Sequence, residues 1–346
     1  MKKLLSLALV LLLSLSLATA LAQGTVNVFN WEDYINDEVI ALFEEETGIK
    51  VNYMRFTLNE DMLVQVRTSP GAFDVVFPSD YAIERLISEG LLQEIDFDRV
   101  PHAEGNTLEW LRNPDYDPEH KFSVPYMWGT VGILYDTTKV EEPIDSWGAL
   151  FDERYKGEVF MLDSPRDTLG VALKYLGYSV NSKNPLEIQE AANLLIDQKQ
   201  RGIVKAYQVD ETKDKMVAGE GTLAVVWSGD AQYAINLNPD LAYVVPKEGS
   251  NVWVDGMVIP ASAANYDNAL AFIDFLSRSD IAQMNAEYIE YSSPNLGAIE
   301  LMGEDYLDNP NLNPSQEVID NCEFFHDNQE VKVLYDTYWG QVKNAK

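Results

Sequence analysis

The chain has 346 residues and a formal net charge of −31, from 25 Lys+Arg against 56 Asp+Glu. Its 46% hydrophobic and 11% aromatic content excludes a disordered acidic tail, and the sign of its charge opposes nucleic acid and anionic membrane. One cysteine, Cys322, excludes an internal disulfide framework or a multi-cysteine metal site, and His102, His120 and His326 lie too far apart for a local metal motif.

Residues 1–22 read as a cleavable signal peptide. Lys2 and Lys3 precede an apolar run from Leu4 to Leu17, and Ala20-Leu21-Ala22 is a small-x-small cleavage pattern. The run is shorter than a span of about 20 residues, so the expectation is export and release rather than anchoring. Loss of Lys2 and Lys3 takes the charge from −31 to −33.

Val26 to Phe29 then reads as a strand, and Asp37 to Glu46 as a helix that buries Val39, Leu42 and Phe43 and stops at Gly48. Val51 to Phe56 is a strand and Glu60 to Arg67 a helix. Phe73 to Phe77 is a continuous apolar strand covered on both faces, and Tyr81 to Gly90 a helix. This alternation predicts a doubly wound sheet. A second series follows Pro143: strand Glu158–Leu162, helices Asp167–Gly177 and Pro185–Gly202, and strands Val204–Val209, Thr222–Trp227, Leu241–Val245 and Val252–Ile259. The amphipathic helix Tyr266–Ser277 closes it. The two series predict two α/β lobes, joined by short extended crossovers near Gly129–Asp136 and Gly249–Pro260.

No phosphate-cradling glycine loop, G-x-S-x-G elbow, H-E-x-x-H or EF-hand loop is present. Asp115-Tyr116-Asp117-Pro118-Glu119 lacks the glycine and closing glutamate of a calcium loop and reads as a solvated turn. What recurs is an aromatic beside a carboxylate at a strand end: Phe29-Asn30-Trp31-Glu32-Asp33-Tyr34, Pro78-Ser79-Asp80-Tyr81, Leu162-Asp163-Ser164-Pro165-Arg166-Asp167, Trp227-Ser228-Gly229-Asp230 and Trp253-Val254-Asp255. Open α/β sheets bind ligands beyond their strand ends, so these segments are candidates for one cleft. Rings and carboxylates together suit an elongated organic cation. They also suit a sugar or a glycosidase, and a secreted carbohydrate-active enzyme with paired carboxylates stays open at this point. Trp110 and Trp147 also lie close to acids but read as packing residues, Trp147 behind an Asp/Ser helix start.

On these motifs, with Glu46-Thr47-Gly48-Ile49-Lys50-Val51, Pro125-Tyr126-Met127-Trp128, Pro246-Lys247-Glu248-Gly249 and Ser293-Pro294-Asn295-Leu296, the chain resembles the bacterial spermidine/putrescine-binding proteins. These are periplasmic polyamine receptors of ABC transporters. The resemblance implies a type II periplasmic binding protein fold, with two doubly wound α/β lobes and an interlobe cleft. The expected lobes are 23–131 plus 253–296 and 132–252 plus 297–346. It implies no catalysis, cofactor or metal, a monomer, and a membrane permease as partner. The ligand residues it implies are Trp31, Asp33, Tyr34, Ser79, Tyr81, Asp167, Trp227, Asp230, Trp253, Asp255 and Tyr291. Two positions depart from the spermidine type: Ser164 stands for an acid and Phe325 for a glutamine. Asp230 resembles the putrescine type, so the expected ligand is putrescine or spermidine, with putrescine bound at least as tightly.

Overall fold

The computed structural model describes residues 24–346, so the expected signal peptide lies outside the described residues. β1 (Thr25–Trp31) leads through Asn36, whose side chain accepts the Glu38 amide at 2.9 Å, into α1 (Asp37–Thr47). Gly48, at φ 71°, ends that helix in the left-handed conformation that glycine adopts without strain. β2 (Lys50–Phe56), α2 (Asn59–Thr68), β3 (Val75–Val76) and α3 (Asp80–Ser88) complete the first βαβαβα series. The expected strand Phe73–Phe77 shrinks to two residues. Phe77 and Phe73 stay buried, but the chain turns away to place Ser79 at the head of α3.

After the short α4 (Pro101–Asn106), β4 runs for 14 residues, Ser123–Asp136, buried throughout. β5 (Val159–Leu162), α5 (Pro165–Tyr175), α6 (Pro185–Gln200), β6 (Val204–Gln208), α7 (Glu211–Val217), β7 (Leu223–Trp227), α8 (Ser228–Leu237), β8 (Leu241–Val244) and β9 (Val252–Val258) follow. α9 (Tyr266–Leu276), α10 (Ser279–Ile289), α11 (Leu296–Met302) and a C-terminal helix Lys332–Asn344 come after them.

The strands lie in the order β2-β1-β3-β9-β4-β7-β5-β6, with β8 also on β4. β1 pairs in parallel with β2 and β3, and β5 in parallel with β6 and β7. The expected extended crossovers Gly129–Asp136 and Gly249–Pro260 fall on β4 and β9, which form the middle of the sheet and run antiparallel to each other. β4 belongs to both halves: Ser123–Thr130 pairs with β9, while Val131–Tyr135 pairs with β7. The sheet is therefore mixed. A strand leaving one half to enter the other without a helix must return antiparallel.

Side-chain alternation along each strand fills a core on both faces of each half. Val26 and Val28 face the cluster of Phe43, Phe272 and Ile273, while Phe29 faces Phe56, Ile83 and Leu86. In the other half, Ile133, Val159, Met161 and Val225 pack on Leu169 and Leu195, while Leu134, Phe160, Ala224 and Val226 pack on Met216 and Ala234. The Asp115–Glu119 turn is less solvated than its composition suggested. Asp117 is buried and accepts the backbone amides of Lys121, Phe122 and Ser123. Trp110 packs edge-on to Trp128 at 5.0 Å, and Trp147 is fully buried behind its Ser146 cap.

Candidate functional site

Asp255 sits in the middle of β9, in register with Ser79 at the head of α3. The Ser79 hydroxyl donates to one carboxylate oxygen at 2.6 Å and the Tyr34 phenol to the other at 2.8 Å. Ser79 is itself held by Asn59, whose side-chain amide donates to Oγ at 3.0 Å. Asp255 has no ion-pair partner among the described residues. Burial pushes its carboxyl up to about 6, against the pull of the Ser79 and Tyr34 hydroxyls. The same burial, with Asp255 beside it, raises the Tyr34 phenol well above its ordinary value.

Around this carboxylate the rings meet edge to face. Tyr34 and Tyr291 lie 6.1 Å apart at 71°, and Tyr291 and Trp253 lie 5.1 Å apart at 82°. Two glycines make room for them. A Cβ on Gly129 would lie 2.6 Å from the Trp253 ring, and one on Gly229 would overlap the Tyr291 ring. The Trp253 indole nitrogen is buried without a partner.

Asp230 lies in the first turn of α8, directly after Trp227 at the end of β7. Burial raises its carboxyl, opposed by the Lys213 ammonium at 3.0 Å. It lies close enough to Tyr291 to raise that phenol further, burial being the larger cause. Asp167, in the first turn of α5, takes the Ser164 hydroxyl, and burial raises it too, against the pull of Ser164, Arg166 and Trp227. Tyr81 lies under the Arg166 guanidinium, 4.3 Å from the ring centre, and Phe325 lies against the same group at 4.5 Å. Trp31 is half-buried, with its indole N–H donating to the Phe77 carbonyl at 2.8 Å. Asp33 stands apart. It is exposed, at φ 49°, with no hydrogen bond or ion pair among the described residues.

The structure thus joins Tyr34, Ser79 and Asp255 directly, adds Tyr291 and Trp253 through ring contacts with Asp230 beside Tyr291, sets Tyr81 and Phe325 on Arg166, and places Trp227 and Arg166 beside Asp167. Two neighbours, Asn59 and Lys213, escaped the sequence reading, and two more, Arg166 and Asp80, stood in the quoted motifs without their surroundings being legible. Asn59 and Lys213 carry no local signal, since each reaches its partner only through helix packing. Arg166 was visible as the one base of the strand-end segments, but not its stacking. Asp80 is wholly buried with one oxygen unpartnered, and burial raises it to about 8. Among the described residues no group of His, Cys, Asp and Glu could hold a metal ion, and no helix is long and apolar enough to cross a membrane.

Two helix-covered sheet halves sharing long antiparallel strands, with a polar and aromatic cluster where those strands cross, define a solute-binding protein. The chain belongs to the bacterial extracellular solute-binding protein family, whose model matches residues 38–314. It is 34% identical over 324 residues to the spermidine/putrescine-binding periplasmic protein of Escherichia coli K12, covering 93% of this chain and 92% of that one. It is 32% identical to a putrescine/agmatine-binding protein of Pseudomonas aeruginosa over 342 residues, covering 92% of each. The solved spermidine/putrescine ABC transporter substrate-binding protein PotD of Streptococcus pneumoniae superimposes with a TM-score of 0.82. It shares 36% identity and covers 92% of this chain and 98% of its own. The resemblance read from the motifs therefore holds, and so does the binding-protein fold. These relatives are solute-binding transporter components, which makes the chain one as well, not an enzyme.

Proposed function

We propose that this chain captures a polyamine, putrescine or spermidine, in the aromatic and acidic cluster around Asp255 and delivers it to the membrane permease of an ABC transporter. The observation that carries the reading is Asp255 itself, a buried carboxylate supported by two hydroxyls and, among the described residues, no cation. An isolated buried charge is costly, and an ammonium placed against it restores the missing partner. Tyr34, Tyr291 and Trp253 offer ring faces and edges for the methylenes and add cation–π attraction of about 0.5–2 kcal/mol each. Trp31, Asp33, Tyr81, Asp167, Trp227 and Asp230 complete the proposed ligand set.

The two halves of the sheet act as lobes, 23–131 plus 253–296 and 132–252 plus 297–346, that close on the ligand. A diammonium or triammonium makes contacts to both that coexist only when the lobes meet, so binding favours the closed form. The mature protein is a periplasmic monomer exported by residues 1–22. Relatives that bind spermidine, putrescine or agmatine support the solute class. Calorimetric titration with putrescine, spermidine, cadaverine and a neutral sugar tests it. Saturable binding of the amines and none of the sugar is expected, and sugar binding without amine binding would refute it.

A further inference from the structure

Among the described residues, Asp230 is the one proposed ammonium-binding carboxylate that makes an ion pair. Lys213, 17 residues earlier on α7, brings its ammonium to 3.0 Å from Asp230 Oδ1. That ammonium also faces the Tyr233 ring, 5.3 Å from its centre. The pair is largely shielded, with side-chain exposures of 28% for Lys213 and 13% for Asp230. Asp255 and Asp167 accept hydroxyls instead.

A lysine side chain is a butylammonium, the same four-methylene arm and primary ammonium as putrescine without its second ammonium. We propose that Lys213 is a tethered competitor that occupies the ammonium position of Asp230 and sets the amine selectivity of the site. The inference rests on the polyamine reading above. A tethered group acts at a high effective concentration, so a free amine must displace it or bind beside it. Displacement loses the existing ion pair, and coexistence sets two ammonium groups against one carboxylate. Both outcomes weaken binding, and the repulsion grows with the charge of the ligand. Lys213 therefore penalises a triamine more than a diamine.

The test is titration of the mature protein, Lys213→Met and Asp230→Asn, and the double variant, with putrescine and with spermidine, beside thermal unfolding without ligand. Lys213→Met should bind putrescine at least about tenfold more tightly and spermidine by a larger factor. In the Asp230→Asn background that gain should vanish. Unfolding of Lys213→Met should occur at lower temperature, because Asp230 loses its partner. A Lys213 that only braces α7 against α8 would give the same stability loss with affinity equal or weaker, and that result overturns the proposal. Lys213→Gln, which keeps a neutral donor near Asp230, gives the same reading should the methionine variant fail to fold. If the unmodified protein and every variant bind neither amine, the polyamine reading itself falls. If they bind and Lys213 has no effect, only the tethered-competitor assignment falls.

Discussion

The Tyr34 hydroxyl donates to Asp255 at 2.8 Å across 221 residues of sequence, and Asp255 Oδ1 takes Ser79 in the same way. One buried carboxylate thus ties the turn after β1, the head of α3 and the central strand β9 together. In an acidic chain its charge is a liability for folding and an asset for holding a cation.

That duality predicts the behaviour of Asp255→Asn. Amine affinity should fall by about 2–5 kcal/mol, the range for truncating one member of a desolvated charge pair. Stability without ligand should hold or rise. The carboxyl is raised to about 6 when folded, above its unfolded value near 4. Its neutral form is therefore favoured by folding, and stability is lost as pH climbs through the folded value. Unfolding midpoints of the unmodified protein should fall between about pH 4 and pH 7, less steeply in the variant. Unchanged amine affinity would remove Asp255 from the site.

The aromatic walls separate from ordinary packing by a paired comparison. Trp253→Leu keeps apolar bulk but removes the ring against Tyr291, and should lose about 0.5–2 kcal/mol of amine binding. Trp110→Leu, which removes a ring packed on Trp128, should lower the melting temperature and leave affinity alone. Equal affinities in the two variants would contradict this division.

His326 and Glu84 join the C-terminal segment to α3. The imidazole lies 3.3 Å from the carboxylate, which also takes the Asp327 amide at 2.8 Å. Glu84 raises the His326 pKa, against partial burial. A histidine raised in the folded state contributes stability below its unfolded value near 6.5 and loses it as pH rises through the folded one. His326→Gln should therefore flatten the decline in melting temperature above about pH 6.5, and an unaltered decline would show that the contact does not titrate with folding.

The Arg166 end of the proposed site bears on ligand choice beside Lys213. Ser164 already donates to Asp167 and Phe325 already stacks on Arg166, so a third ammonium there finds a shared carboxylate and a resident cation. Putrescine should bind at least as tightly as spermidine at matched salt and pH. Ser164→Asp with Phe325→Gln should move the preference toward spermidine by supplying acceptors worth a few kcal/mol. Tighter spermidine binding by the unmodified protein, measured by calorimetry, would reverse this ranking.

Association should slow as salt rises, since a formal net charge of −31 steers cations from a distance that mobile ions screen. Dissociation should respond far less. Stopped-flow association rates flat from low to high salt would reduce the acidic surface to a solubility device.

Strand and helix periods are local, and so they were legible. Val26, Val28 and Phe29 alternate between two cores as their spacing predicts, and Gly48 and Gly90 mark where α1 and α3 run out. The aromatic and acidic motifs could be read for the same reason, since each is a short local segment, although Asp255 lies in the middle of the antiparallel β9 and not at a parallel strand end. What depended on distant chain pairing could not be read. The crossovers at Gly129–Asp136 and Gly249–Pro260 could be read as extended chain, but nothing within them says that β4 and β9 pair antiparallel at the centre of the sheet. Packing of α7 on α8 alone brings Lys213 to Asp230, and only the approach of Tyr81 and Phe325 from separate segments turns Arg166 from a lone base into a stacked one. The sequence by itself determined which chemical groups line the strand ends. The tertiary structure decided that, among the described residues, Asp230 holds a protein cation while the buried Asp255 accepts only hydroxyls, because ion pairing depends on distances that sequence spacing does not encode.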